Sequence, residues 1–110
     1  MVQDTINKIE RMIRSNKSLD KGNKTRLLKL LATLKPEIEK LSNAKAEHAE
    51  SVAGFMERST HEALRQEKNP TLLRLAIDGL SASVKGFEAS HPQLVRAVNY
   101  IATELANIGI

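Results

Sequence analysis

The sequence predicts an all-α protein, a bundle of four to five helices within a single domain covering residues 1–110. Leu, Ala, Glu, Lys and Arg, which are good helix formers, dominate its composition. Aromatic residues make up only 3% of the chain, which disfavours a sheet. Four stretches carry apolar residues at alternating steps of four and three, and this spacing keeps one apolar stripe on one helix face. Because each stripe is short, packed bundle helices are favoured over one long coiled coil.

The first stripe predicts a helix from Val2 to about Ser15, and its members are Val2, Ile6, Ile9 and Ile13. A turn rich in Asn, Ser, Lys and Gly follows over residues 16–23. Asp20 or Asn23 is expected to cap the second helix by accepting backbone N–H bonds. Residues 1–42 are therefore predicted to form an N-terminal hairpin.

The second helix is expected to start near Lys24, with the stripe Leu27, Leu31, Leu34, Ile38 and Leu41. Pro36 lies inside this stripe, lacks an N–H group and clashes with the preceding helical turn. The stripe nevertheless keeps its phase across Pro36. We therefore expect either a long, kinked helix or a break with Pro36 at the first position of a new helix.

Residues 43–69 are rich in Ala and Glu, and their larger apolar residues are Val52, Phe55, Met56 and Leu64. A continuous helix from Pro36 to about Gln66 would be about 46 Å long at 1.5 Å per residue. Such a helix would outrun a compact domain, so a second chain is expected to cover its Val52/Phe55/Met56 face. The alternative interpretation of this segment is a polar, partly frayed linker.

Asn69 followed by Pro70 is a strong helix start, since Asn is a favoured cap and Pro suits the first helical position. The helix is expected to run to about Ala89, with the stripe Leu73, Ile77, Leu80, Val84 and Phe87. His91 precedes Pro92 and is therefore disfavoured in a helical conformation, which predicts a turn there.

Ser90 or His91 is expected to cap the last helix, which begins at Pro92 and carries the stripe Leu94, Val98, Ile101, Leu105 and Ile108. The short connection predicts an antiparallel C-terminal hairpin over residues 70–110. Gly109 is expected to close this helix in the left-handed conformation, and Ile110 to dock on the last turn.

The three histidines raise the question of a metal site. Glu57 and His61 lie one helical turn apart, but zinc usually takes four ligands. The Glu-x-x-His pattern of di-iron bundles is absent, because Lys45 and Arg58 stand three residues before His48 and His61. No metal ligand and no cofactor site are therefore predicted, and these histidines are interpreted as surface residues.

No nucleophile elbow, phosphate-binding loop or dinucleotide fingerprint is present, so the protein is predicted not to be an enzyme. Gly79 and Gly86 lie inside a helical pattern and are expected to permit close helix packing. His91 is interpreted as a turn or cap residue, not as a catalytic base.

The net charge of +4 is unevenly distributed. Residues 1–35 carry nine Lys or Arg and three Asp or Glu, whereas residues 36–70 carry five and seven. The candidate anion-binding surface consists of Lys8, Arg11, Arg14, Lys17, Lys21 and Lys24. Such a patch can meet the phosphates of nucleic acid, an anionic membrane surface or an acidic protein, although no aromatic residue is interleaved with it. A solvated polar face is the simpler interpretation.

No apolar run approaches the roughly 20 residues of a membrane span, and the N-terminus lacks the apolar core of a signal peptide. The chain has no cysteine, which suits a reducing cytosol. A cytoplasmic protein is therefore expected.

Two C-terminal segments resemble the DUF4404 family of small bacterial proteins, whose function is unknown. They are Phe87-Glu88-x-x-His91-Pro92 and Ile101-Ala102-x-x-Leu105-Ala106-Asn107-x-Gly109-Ile110. Leu19-Asp20 and the run from Leu27 to Leu34 resemble the second helix of that family. The resemblance covers residues 1–42 and 72–110, so residues 43–71 are interpreted as an insertion, and Pro36 departs from the family pattern. It implies a helical fold and a bacterial source, and no activity.

Apolar stripes on every helix and a modest core favour a homo-oligomer, with a dimer as the expected state. The predicted function is a helical oligomerisation or protein-interaction module. The alternative is a basic accessory protein that binds nucleic acid through its N-terminal third.

Overall fold

The computed structural model describes all 110 residues, and it contains five α-helices and no strand. The helices are α1 (Val2–Ser15), α2 (Lys21–Ala44), α3 (Ala46–Ala63), α4 (Pro70–Ser83) and α5 (Pro92–Ile108). The predicted all-α bundle is confirmed. The molecule measures 37 × 25 × 21 Å, so its long axis is close to the length of α2. None of the five helices is both long and apolar enough to cross a bilayer.

The four apolar stripes form most of the hydrophobic core. Every stripe residue is buried except Ile77 and Ile108, which are half-buried against the same cluster. Removing a Leu or Ile side chain from water contributes about 1.5–3 kcal/mol, so these stripes supply the main driving force for folding.

The first two helices form an antiparallel hairpin. At one end, the Lys24 ammonium donates a hydrogen bond to the Arg14 carbonyl oxygen at 3.2 Å. At the other end, the Gln3 side-chain amide donates a hydrogen bond to the Lys35 carbonyl oxygen at 3.4 Å. The start of α1 therefore lies beside the second half of α2.

The long proline-containing helix is α2. The Asp20 carboxylate caps it by accepting the Asn23 backbone N–H at 2.8 Å, and the helix runs through Pro36. It ends at Ala44 and does not continue towards Gln66, because the backbone of Lys45 is not helical (φ −146°, ψ 79°). This break lets the chain turn back, so that α3 packs against α2 within the bundle.

The segment interpreted from sequence as an extension or linker forms α3, which contacts all four other helices. Its buried residues are Ala49, Val52, Ala53, Met56, Ser59, Thr60, Glu62 and Ala63. The expectation that a second chain covers Val52 and Met56 is wrong, since both are fully buried inside the chain. Only Phe55 of that face remains 41% exposed. Small residues on α3 explain the difference, because they let neighbouring helices approach closely.

The fourth helix is shorter than predicted, since it ends at Ser83 and a turn leads to α5. Gly86 adopts a positive φ of 93° in this turn, a conformation that favours glycine, and an added Cβ would meet nothing within 4 Å. The expected packing role of Gly86 is therefore wrong. The Glu88 carboxylate fixes the turn by accepting the Gly86 N–H at 2.8 Å.

The C-terminal hairpin is antiparallel, because the first two turns of α4 and the last turn of α5 line a common groove. The expected left-handed closure by Gly109 and the docking of Ile110 are both wrong. Gly109 has a right-handed conformation (φ −82°), and Ile110 is 95% exposed. Gly109 is needed for space, since a Cβ there would overlap the Leu73 side chain and lie 3.3 Å from Ala63 Cα.

Candidate interaction surfaces

The predicted anion-binding residues lie on α1, on the α1–α2 connection and at the start of α2. Two of them are ion-paired: Lys8 Nζ lies 2.9 Å from a Glu57 oxygen, and Arg14 Nε lies 3.4 Å from a Glu10 oxygen. Lys24 donates to a backbone carbonyl. Arg11, Lys17 and Lys21 form no ion pair. Acidic side chains of the same chain thus neutralise part of the positive charge of the candidate surface. The residues that keep an unpaired charge include Arg11, Lys17 and Lys21.

Two histidines contact the ring of Phe87, and the spacing in the sequence does not predict the contact with His48. The His48 and His91 rings meet the Phe87 ring edge-on, with centroids 5.5 and 5.9 Å away. His91 is the residue before α5, its side chain makes no capping hydrogen bond, and its Nδ1 lies 3.0 Å from Ser90 Oγ. Pro92 occupies the first position of α5. These contacts give His91 a packing role at the turn.

His61 lies in a shallow cleft with Glu57 between α1 and α3. The Glu57 carboxylate is engaged by Lys8 across this cleft. No group of three or more His, Asp or Glu side chains is arranged to hold an ion. The arrangement at His61 is therefore an interhelical ion pair with a histidine beside it.

The largest cleft, about 560 Å³, lies at the end of the bundle where α2 begins and α3 and α5 end. Several of its polar groups are engaged within the chain: the Asn16 side chain accepts the Leu19 N–H at 2.8 Å, and Asp20 caps α2. Arg65 donates to Glu62 at 2.9 Å. These groups stabilise helix ends instead of converging on a ligand.

The start of α4 lies near this cleft and is capped in the same way. The Asn69 side chain accepts the Leu72 backbone N–H at 3.1 Å, and Pro70 holds the first helical position. Lys68 donates to the Ala63 carbonyl oxygen at the end of α3. The α3–α4 connection is thereby fixed at both ends.

The outer side of α4 is unusually apolar. Leu72 and Leu75, one turn apart, are 42% and 62% exposed. The Phe55 ring of α3 lies on Gly79, where an added Cβ would overlap it and lie 3.1 Å from its Cζ. Because Leu75 precedes Gly79 by one turn, these side chains share one side of the molecule. We call Leu72, Leu75 and Phe55 the α4 face.

A second exposed surface lies between α2 and α5. A groove of about 360 Å³ is lined by Arg26, Lys29, Leu30, Tyr100, Thr103 and Glu104. The Tyr100 ring is 58% exposed, and Arg26 Nε lies 3.5 Å from a Glu104 oxygen. The structure thus places an aromatic side chain beside basic residues that lie far from it in sequence. We call this surface the α2–α5 groove.

Comparison with known protein families identifies the family of this chain. The profile described as Domain of unknown function (DUF4404) matches residues 24–110. The chain belongs to this family. Neither the curated proteins nor the solved structures contain a match.

The DUF4404 match runs from the first turns of α2 to Ile110 and excludes α1. It includes residues 43–71, which are interpreted from sequence as an insertion and which contain the central helix α3 (Ala46–Ala63). Of the residues that carried the resemblance, Phe87 is buried, Glu88 fixes the α4–α5 turn and Gly109 is buried at the α5 terminus. These three residues therefore lie in the C-terminal hairpin or in the turn that joins its helices.

Proposed function

We propose that this DUF4404 protein is a non-enzymatic helical module that self-associates through the α4 face. The observation that carries the proposal is the exposure of Leu72 and Leu75 on the outside of α4. The solvent side of a surface helix usually carries polar residues, so two leucines there indicate a surface that a partner covers.

The charges on α4 favour a second copy of the chain as that partner. Arg74 and Asp78 are the only charged residues of α4, and both are exposed. Neither forms an ion pair within the chain. Because α4 carries one charge of each sign, two copies of the α4 face can approach each other without net repulsion.

The size of the α4 face predicts weak association. A stable dimer buries about 800 Å² on each partner, which is more than three partly exposed side chains supply. Association also costs at least about 4 kcal/mol of lost translational and rotational freedom. We therefore expect a dimer that forms in the micromolar range and dissociates on dilution.

A non-enzymatic role is part of the proposal. It is supported by the use of the polar groups around the largest cleft as helix caps and ion pairs. His91 packs on Phe87 at a turn, and Glu57 pairs with Lys8. His91 and Glu57, two of the groups that the sequence singles out for chemistry, thus have structural partners.

The test is light scattering coupled to gel filtration over a range of protein concentrations. The wild-type mass should rise above 12.2 kDa as concentration increases. Leu75→Asp should hold the protein at the monomer mass, because it places a charge in the apolar contact. Tyr100→Asp is the matched control: it adds the same charge to another exposed side chain and should leave the mass unchanged.

A wild-type protein that stays monomeric throughout the micromolar range, or a Leu75→Asp variant that dimerises normally, would refute the proposal.

A further inference from the structure

The exposed ring of Tyr100 has no role in the core or in the α4 face. It lies on α5 beside Lys29 and Leu30 of α2, and Leu30 is only half-buried. The groove that these residues line has a volume of about 360 Å³, within the range of sites that hold small molecules or single bases.

The groove carries a small excess of positive charge. Arg26 and Lys29 of α2 line it, whereas Lys24 and Lys35 of the same helix contact α1. Lys29 has no ion-pair partner in the chain. Glu104 is the only acidic residue that lines the groove, and Arg26 engages it at 3.5 Å. Lys29 is therefore the unpaired cation of the groove, which suits a ligand with an anionic group such as a phosphate.

The basic character continues along α5. Arg96 lies one turn before Tyr100 on the same helix face, and it is exposed and without an ion pair. Asn99 and Thr103 are exposed next to it and add neutral hydrogen-bonding groups. An aromatic ring is thus flanked by a cation on its own helix and by cations on the neighbouring helix.

We propose that the α2–α5 groove binds single-stranded nucleic acid. Proteins that bind single strands combine a basic track for the phosphates with aromatic rings on which bases stack. Here Tyr100 provides the ring, and Lys29 and Arg96 provide the unpaired cations, while Arg26 is held by Glu104. A single strand is favoured over a duplex because its bases are unstacked and available to the ring. The ring also favours nucleic acid over an acidic protein, whose carboxylates need only the cations.

The first test is the fluorescence anisotropy of a short labelled oligo(dT) titrated with the whole protein at low salt. Tyr100→Ala should weaken binding about tenfold, since one base–aromatic stack contributes about 1–3 kcal/mol. Tyr100→Phe should keep most of the affinity because it retains the ring. Affinity should also fall steeply as salt increases, because binding releases counterions.

The second test separates this groove from the basic N-terminal third. Lys29→Glu should weaken binding strongly. Arg11→Glu makes the same change in charge on α1, which does not contact α5, and should have a much smaller effect. Glu104→Gln should strengthen binding, and a gain of affinity cannot result from misfolding.

No binding at low salt, equal losses for Lys29→Glu and Arg11→Glu, or equal losses for Tyr100→Ala and Tyr100→Phe would each overturn the proposal. Displacement of the oligonucleotide by poly-glutamate as effectively as by unlabelled oligo(dT) would assign the groove to acidic proteins and overturn it too. The Leu75→Asp variant should bind as the wild type does, so this proposal is tested independently of the dimer.

Discussion

Ser59 is buried in α3, and its hydroxyl has no hydrogen-bond partner. An unsatisfied buried polar group costs about 1–3 kcal/mol, and Ala is the better helix former. Ser59→Ala should therefore raise the free energy of unfolding by about 1 kcal/mol, measured by urea denaturation followed by circular dichroism.

Ser51→Ala is the matched control for this prediction. Ser51 is exposed on the same helix, and its hydroxyl donates to the Glu47 carbonyl oxygen at 3.1 Å. At Ser51 the gain in helix propensity, about 0.5 kcal/mol, is partly offset by the loss of this exposed hydrogen bond. Equal gains for the two variants would show that the buried hydroxyl of Ser59 carries no penalty.

Glu62 shows what a hydropathy pattern omits at the level of single residues. Its carboxylate is buried and held by two arginines of the same segment, Arg65 at 2.9 Å and Arg58 at 3.7 Å. The spacing of these charges is visible in the sequence and predicts an ion pair. The burial of Glu62 cannot be predicted from this spacing, because burial depends on helices that are distant in the sequence.

At the scale of elements, the junction of α3, α4 and α5 depends on the small size of Gly109. Because its backbone is right-handed, an alanine causes no conformational strain there, but its Cβ would overlap Leu73 and crowd Ala63. Gly109→Ala should destabilise the protein by about 1–3 kcal/mol through overpacking, measured as a loss of thermal stability.

A double-mutant cycle distinguishes overpacking from backbone strain. Removing the Leu73 side chain should make Gly109→Ala less costly, because the overlapping atoms are gone. Ile110→Ser, next in sequence, should leave the melting temperature unchanged, since Ile110 is almost fully exposed. Additive effects of Leu73→Ala and Gly109→Ala would contradict the packing explanation.

Helices with large apolar residues were easier to predict from sequence than α3. The bounds of α1 and the start of α5 match the prediction, because stripes of Ile and Leu and the proline signal are strong. In α3, Ala49, Ala53 and Ala63 pack as fully as Leu does elsewhere. Alanine is common on both buried and exposed helix faces, so the burial of these three alanines could not be recognised from the hydrophobic periodicity of the sequence. The break at Lys45 has no Gly or Pro to mark it.

For the whole molecule, the two proposed surfaces are separate. The α4 face lies on α3 and α4, whereas the groove lies between α2 and α5, and α2 does not contact α4. Dimerisation through α4 therefore leaves the groove accessible.

Leu72 and Leu75 were visible in the sequence as apolar residues outside a stripe. The pairing of Tyr100 with Lys29 was not, because only the packing of distant helices brings these residues together.

The position of α1 leads to the last prediction. This helix lies outside the DUF4404 match, yet its stripe joins the single core cluster, and Ile9 is fully buried. Ile9→Ala should cost about 2–5 kcal/mol, as is usual for a buried Ile or Leu cut back to Ala. Leu105→Ala, inside the matched range and also fully buried, is the reference.

Both variants should unfold in one cooperative transition, measured by urea denaturation with two spectroscopic probes, because α1 shares the core of α2 and α3. If α1 were a loosely attached addition, Ile9→Ala would leave the main transition unchanged while Leu105→Ala shifted it. A comparable shift for both would mean that α1 folds together with the rest of this chain, so that its DUF4404 core depends on a helix outside the matched range.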